Sequence, residues 1–374
     1  MDNYEYWSIF RGGVILCAIR RRRFLNRINQ HRQREEDLVV KEFASDKNEL
    51  LTDDEKQQVN ELWGQLMPIT SYKEYEMFKK QFGFDARFVS HHIYLPILAR
   101  RLNNYKYTKL FDDKGMLGYI SSSNLKFPFC YVRCIGGDLF DNEMRQINLT
   151  EAIHRCASLN AVFIKPSKET SGGKGTEVLR MEYLTQSERC TLIAKKISER
   201  NNDFVIQECL SQHRVMAQFN ASSVNTLRIT TLLLNGVCSI CSIILRMGKD
   251  ASSVDNWGGG GIVCHVDFDG NISDIGIDIH LNRYNTNGTC IFQGKNIPQV
   301  PMILKQIKDA HTNYFALCNL IGWDVAINQE GEAVILELNS SQPGLIAEQI
   351  FSGPIFGERT QEVIEYCKNK PLIF

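Results

Sequence analysis

Val334-Ile335-Leu336-Glu337-Leu338-Asn339-Ser340-Ser341-Gln342-Pro343-Gly344 is the stretch on which the reading of this chain turns. In a strand, successive side chains point to opposite faces, so Glu337 and Asn339 share one face, about 7 Å apart along it. Both end in hard oxygen. Just upstream, Ile321-Gly322-Trp323-Asp324-Val325-Ala326-Ile327 reads as a second apolar strand carrying one carboxylate. Asn328-Gln329-Glu330-Gly331 joins the two as a tight connection, with Gly331 free to take a turn conformation, and brings Asp324 back beside Glu337. Magnesium is commonly held by one or two carboxylates together with substrate phosphates, so three converging oxygen ligands point to a nucleotide-metal site rather than a closed cage. An inward-facing polar pair can equally be a satisfied core feature, and the rest of the chain has to decide between them.

At 374 residues the chain is long enough to bury a large core and to form two or three lobes. Its 43 Lys and Arg balance 43 Asp and Glu, so no global charge argues for nucleic acid. Twelve cysteines, with no secretory leader recognised, read as the reduced thiols of a cytoplasmic protein. Cys238 and Cys241 form a C-x-x-C inside an apolar β-like run, where positions i and i+3 face opposite ways, which disfavours a shared metal. His91-His92 lacks a partner motif and reads as structural. Near the start, the apolar run Gly12–Ile19 is too short to span a bilayer and is followed by Arg20-Arg21-Arg22-Arg23. That segment reads either as a basic helix resting at an anionic inner-membrane surface or as a helix packed on the body, its charge offset by Glu35, Glu36 and Asp37.

Helical spacing from about Thr52 to Tyr107, as in Val59, Leu62, Trp63 and Leu66, predicts a helical N-terminal region over residues 1–107. The remaining residues, 108–374, are expected to form an α+β domain. Its small lobe should run from about 150 to 210: a helix started by Thr150, a strand Ala161–Ile164 ending at Lys165-Pro166, a strand from Thr176, a helix capped by Thr185, and a strand Phe204–Glu208. Its larger lobe, from about 211 to 374, opens with β runs at Thr226–Leu234, Val237–Leu245 and Ile262–Val266. Asp267-Phe268-Asp269-Gly270 has its glycine in the wrong place for a calcium loop and reads as a hairpin turn. Ile303, Ile307, Ala310, Tyr314, Leu317 and Ile321 mark one face of a helix leading into the Asp324 strand.

Several residues carry candidate chemistry. Ser171-Gly172-Gly173-Lys174-Gly175 lets backbone N–H groups approach an anion and adds a positive charge, although its spacing is not that of a P-loop and a plain hairpin is the competing reading. Lys165 sits at the strand end just before that loop, where one ammonium reaches phosphate oxygens. Gln207-Glu208-Cys209-Leu210 ends the next strand as a hinge, with backbone groups for an adenine edge and Glu208 for a ribose hydroxyl. Arg228 and Arg246 lie among apolar neighbours, so each must be paired or face a cleft. Asn256 stands in a loop before Gly258–Gly261 that is loose enough to close over a ligand.

The order of these features resembles the ATP-grasp superfamily, through Phe163-Ile164-Lys165-Pro166, the Ser171–Gly175 loop and Glu337-Leu338-Asn339. More closely, Ser223-Val224-Asn225-Thr226-Leu227-Arg228, Val254-Asp255-Asn256-Trp257-Gly258-Gly259-Gly260 and Gly322-Trp323-Asp324 resemble the sugar-transfer-associated ATP-grasp group found with bacterial surface-polysaccharide enzymes. The resemblance implies an ATP-grasp fold in which two α+β lobes clasp ATP. Lys114 and Lys165 would meet its phosphates, with Lys109 a nearby competitor for the first role, and the 171–175 loop would form a lid. It also implies magnesium on Asp324, Glu337 and Asn339, and Arg246 on the transferred phosphate. Ser341-Gln342 departs from the arginine that many relatives carry there. The implied activity is a carboxylate–amine ligase acting on small molecules, sugar-linked ones among them; a hydroxyl kinase on the same fold and a nucleotide-binding module without turnover are the alternatives.

Overall fold

The computed structural model describes residues 50–119, 125–168, 175–201, 203–250 and 257–370, with scattered positions between 26 and 41. The Arg20–Arg23 run, Ser171, Gly172, Gly173, Lys174 and Asn256 lie outside the described residues. Two compact units result, one of Met1–Tyr105 with Gly353–Phe374 and one of Lys106–Ser352.

The first unit is helical. Asp53–Trp63 starts at Thr52, which accepts from Glu55 N while the Glu55 carboxylate accepts from Thr52 N, a reciprocal cap that satisfies two otherwise orphaned donors. Trp63 and Phe78 are fully buried, and Phe78 stacks on Phe88 at 4.2 Å. His91 pairs with Glu74 at 2.7 Å and His92 Nε2 meets Thr70 N, so both histidines sit in local hydrogen-bonding networks. The C-terminal helix Thr360–Lys368 belongs to this unit, whereas the sequence pattern had run the second domain through residue 374. Its buried Val363, Ile364 and Cys367 alternate with Glu365 and Lys368, a pattern that marks an amphipathic helix and is silent about which core receives it.

The second unit holds two antiparallel sheets. The smaller contains β1 (Cys130–Ile135), β2 (Asp138–Phe140), β3 (Gln146–Ile147), β4 (Ala161–Pro166), β5 (Glu177–Arg180) and β6 (Phe204–Gln207), in the order β3-β2-β1-β6-β4-β5. It therefore begins near residue 130 rather than 150. Val132, Val162, Ile164, Leu179 and Ile206 bury one face together with Ala152, Cys156 and Ile193 of the helices Leu149–Ala157 and Gln186–Ser198. Strand alternation puts Phe163, Lys165, Val205 and Gln207 on the other face, where the register pairs Phe163 with Gln207 and Lys165 with Val205. Thr185 caps its helix as expected; Asn148 rather than Thr150 caps the other, its side chain accepting from Glu151 N.

The larger sheet contains β7 (Thr226–Leu234), β8 (Val237–Met247), β9 (Ile262–Val266), β10 (Ile272–Ile277), β11 (Arg283–Tyr284), β14 (Leu320–Ile327) and β15 (Ala333–Asn339), in the order β11-β10-β9-β8-β7-β14-β15. A separate ribbon pairs β12 (Thr286–Asn287) with β13 (Cys290–Ile291). Local turns set much of this order. Asn235 and Gly236, at φ 52° and 78°, make the two-residue loop between β7 and β8, and Gly331 at φ 82° closes the β14–β15 hairpin. Leu227, Ile229, Leu245, Cys264, Trp323 and Leu338 bury one face with the helix Val300–Tyr314 through Ile303 and Ile307. Behind them, Trp323 Nε1–H donates to Thr231 Oγ1 at 2.8 Å, Thr231 Oγ1 lies 2.7 Å from His311 Nδ1, and His311 Nε2 lies 2.8 Å from the Cys318 carbonyl. This chain of donors is complete with a neutral imidazole protonated on Nε2.

Candidate active site

Alternation that sends apolar side chains into the core sends the remaining ones to the opposite face of the larger sheet, where the register aligns them in rows. Asp324 lies between Glu337 on β15 and Arg228 on β7, Gly322 between Asn339 and Thr230, and Thr226 opposite Arg246 on β8. Arg246, Arg228, Asp324, Glu337 and Asn339 therefore project from one surface, although they span residues 228 to 339. Gly322 makes room in this array: a Cβ there would meet Pro343 Cβ at 3.2 Å and the Arg228 guanidinium at 3.5 Å.

Asp324 is the electrostatic centre. Its Oδ1 accepts from Arg228 Nε at 2.5 Å and Arg246 Nη1 at 3.1 Å, and its Oδ2 from Arg228 Nη2 at 3.0 Å and Asn339 Nδ2 at 3.4 Å. Burial alone would push this carboxyl up, but the two guanidiniums overcome that and hold it at about 2. Asn339 uses its amide nitrogen for these contacts, so its carbonyl oxygen is the atom that would serve a cation. Glu337 pairs with Lys114 at 2.9 Å. Lys165 is buried, and its Nζ donates to the Leu336 carbonyl at 3.3 Å. Burial first, and the neighbouring Lys114 charge second, push the Lys165 ammonium down to about 8. The two lysines thus reach the C-terminal end of β15 from different places: Lys165 from the polar face of the smaller sheet, Lys114 from the turn after the helix Tyr105–Phe111. Lys109, on that helix, is exposed.

Three residues that the sequence did not single out hold this arrangement. Asp112 accepts from Ser340 N and Ser340 Oγ at 2.6 Å and from Ser341 N at 2.9 Å, which fixes the chain directly after Asn339. Arg133 donates to the carbonyls of Gly115 and Asp141 at 2.8 and 2.9 Å and so buttresses the Lys114 turn. Glu348, on the short helix Ile346–Ser352, lies 3.8 Å from Arg228 Nη1 and is buried. The signal for Glu348 was a single charge inside the apolar run Leu345–Phe351.

At the hinge, Gln207 is buried and its Oε1 has no hydrogen-bond partner among the described residues. Glu208, the residue expected at a ribose hydroxyl, accepts from Phe129 N at 2.8 Å through Oε1. Leu210 follows, half-buried. Gly175, the described end of the glycine loop, has its carbonyl held by Arg200 at 3.0 Å. Cys238 approaches His311 Nδ1 at 3.7 Å, away from the site face, and the described cysteines are free thiols.

Among the described residues no three His, Cys, Asp or Glu side chains are grouped to hold a metal by themselves. The site offers two carboxylates, Asp324 and Glu337, with the Asn339 amide as a third oxygen, and such a set fits a cation that draws its remaining ligands from phosphate. A buried ammonium at Lys165, which among the described residues meets the Leu336 carbonyl and the Phe163 ring, suits an anion, and the orphaned Gln207 Oε1 suits an exocyclic amino group. These residues fit a magnesium nucleotide.

Two antiparallel sheets, with Lys165 on the smaller and acids and arginines on the larger, and Lys114 reaching them from a turn, are the arrangement of a nucleotide-clasping protein of the ATP-grasp class. The chain belongs to the family described as sugar-transfer associated ATP-grasp, whose pattern it matches over residues 97–365. Among solved structures it is similar to D-cycloserine synthetase DcsG, at 12% identity over 71% of this chain and 72% of that one, with a TM-score of 0.42. D-alanyl-alanine synthetase A from Vibrio cholerae O1 biovar eltor is similar at 12% identity over 59% of this chain and 56% of that one, TM-score 0.33. The ATP-grasp ligase PsnB, complexed with its minimal precursor, is similar at 12% identity over 71% of this chain and 62% of that one, TM-score 0.39. The chain spans less than two thirds of the length of the latter two. No curated protein matches it in sequence. Among the described residues no helix is long and apolar enough to cross a membrane.

Proposed function

We propose that the protein is an ATP- and magnesium-dependent carboxylate–amine ligase that works through an acyl phosphate, in the building of cell-surface polysaccharide. The observation that carries this reading is the meeting of Lys114 and Lys165 with the Asp324, Glu337 and Asn339 oxygens at the end of β15. When bound, the magnesium nucleotide would supply the phosphoryl group and a divalent charge to neutralise it. Lys114 and Lys165 hold phosphate oxygens, and Asp324, Glu337 and Asn339 hold the cation. Arg246 and Arg228 face the charge that develops on the transferred group. The substrate carboxylate attacks the terminal phosphorus and ADP leaves; an amine then attacks the acyl carbon, and phosphate leaves as the C–N bond forms. An acyl phosphate is quickly lost to water, which gives the Ser171–Gly175 loop and Asn256 a role as covering segments. The family description, sugar-transfer associated, supports the place in polysaccharide synthesis; sugar uronates or amino acids as substrates and a cytoplasmic setting are part of the same proposal.

The test is trapping. A panel of sugar uronates and amino acids is incubated with the protein, ATP, magnesium and hydroxylamine, and hydroxamate and nucleotide products are measured. The expected result is an ATP- and magnesium-dependent hydroxamate with ADP as coproduct. AMP would mean adenylation instead, and a phosphorylated hydroxyl product without hydroxamate would replace the ligase by a kinase.

A further inference from the structure

In the arrangement observed, Asp324 has no lone pair to spare. A carboxylate offers about four acceptor positions on two oxygens. Here they meet Arg228 Nε, Arg228 Nη2, Arg246 Nη1 and Asn339 Nδ2. Oδ1 meets guanidiniums alone, so a cation can take Oδ1 only if one of them gives it up, whereas on Oδ2 the Asn339 amide at 3.4 Å can yield instead. Releasing Arg228 into this buried surface without another acceptor would leave an unpaired charge, which is strongly unfavourable.

Glu348 is placed to prevent that. Glu348 is 2% exposed; Arg228 lies 3.8 Å from its carboxylate, and Arg246 is the second guanidinium whose charge reaches it. That separation is too long for a charge-assisted hydrogen bond, which closes at about 2.8 Å, so a movement of about 1 Å by the guanidinium would complete it. Glu348 therefore serves as a half-engaged acceptor beside a fully engaged one. Its site on the helix Ile346–Ser352 is anchored to the sheet by Ser352 Oγ donating to Ser242 Oγ at 2.9 Å, so the waiting carboxylate is held still while Arg228 moves.

We propose that Glu348 is a positioning residue that takes Arg228 from Asp324 when Asp324 turns an oxygen to the metal ion. The proposal rests on the reading of Asp324 as a metal ligand. It explains why Asp324 is surrounded by two arginines and why a second buried acid stands about 1 Å out of hydrogen-bond reach. It also makes metal loading and arginine placement one event: the cation gains its ligand as Arg228 is handed to a fixed partner.

The experiment measures Mn²⁺ binding to the full chain by the electron paramagnetic resonance of free Mn²⁺, with a non-hydrolysable ATP analogue present. Glu348→Gln keeps shape and removes charge, so a packing role would leave Mn²⁺ affinity alone; the handover predicts an affinity about tenfold or more weaker, the scale seen when a partner of a metal ligand is lost. Glu348→Asp, which retains charge, should recover part of it and serves if the glutamine variant does not fold. In an Arg228→Met background, where nothing has to be handed over, Glu348→Gln should have no further effect. Unchanged Mn²⁺ affinity in Glu348→Gln, with affinity lost in Glu337→Gln, would overturn the handover and leave the metal site standing. Unchanged affinity in both would remove the metal site itself. An equal loss from Glu348→Gln with and without Arg228 would also overturn it, because the effect would then not pass through that arginine.

Discussion

Lys165 is the residue whose removal should make the protein more stable and less able to bind nucleotide. It is buried beside another lysine, and its ammonium is pushed from the ordinary 10.5 to about 8. A fall of that size is worth roughly 3 kcal/mol, at about 1.4 kcal/mol for each factor of ten. Because the folded value is the lower one, the unfolded chain binds the proton more tightly, and below pH 8 folding carries the whole penalty of the buried charge. As pH rises from about 8 to 10.5 the folded protein releases that proton first and the penalty disappears. Lys165→Met should therefore be more stable than the parent at pH 7 by up to about 3 kcal/mol, with the difference closing by pH 10.5. The charge earns its place only with an anion beside it. At pH 7 most of Lys165 is charged, whereas at pH 9 roughly a tenth is, so ATP affinity should fall about tenfold between those values. In Lys165→Met affinity should be weaker by about 10- to 100-fold at pH 7 and flat with pH, in keeping with one charge-assisted hydrogen bond lost. Urea denaturation and calorimetric titration with ATP, each at pH 7 and 9, read both effects. If Lys165→Met is less stable than the parent at pH 7, or still loses ATP affinity toward pH 9, the buried ammonium is not the cause.

Three further outcomes follow from the same geometry. Gly322→Ala should lose about 1 kcal/mol or more in denaturant unfolding, since the contact with Pro343 at 3.2 Å outweighs the usual gain from stiffening the unfolded chain; a stabilised variant would refute that. Asp112→Ala strips the acceptor from two backbone N–H groups at Ser340 and Ser341 and should cost about 3 kcal/mol, which the same unfolding measurement checks. Burial holds His311 at about 4, below its unfolded value, so its contribution is complete above pH 6.5 and lost as pH falls toward 4, at about 1.4 kcal/mol per pH unit; His311→Gln should remove that slope.

What the sequence by itself determined is the content of each face. Strand alternation separates Glu337 and Asn339 from Leu336 and Leu338, and sets Lys165 apart from Ile164, because the period of two is a property of the local backbone. Hairpin geometry is local as well, so Asp324 beside Glu337 was legible from a four-residue connection ending in Gly331. The strands found at 161–166, 204–207, 226–234 and 262–266, expected at 161–164, 204–208, 226–234 and 262–266, likewise needed nothing beyond apolar runs and their turn residues. The glycine loop and Asn256 lie outside the described residues, so their part rests on the sequence alone. Tertiary structure decided the pairings between charges far apart in the chain: Lys114 on Glu337, Arg228 and Arg246 on Asp324, Asp112 on Ser340, and Glu348 close to Arg228. It also decided that Gly353–Phe374 joins the N-terminal helices, and that the smaller sheet takes in residues from 130 onward. A sequence period states that a side chain leaves the core, but the partner it meets depends on which strands become neighbours. That choice is made by the whole chain as it closes long loops and buries its apolar faces, and no local pattern encodes it.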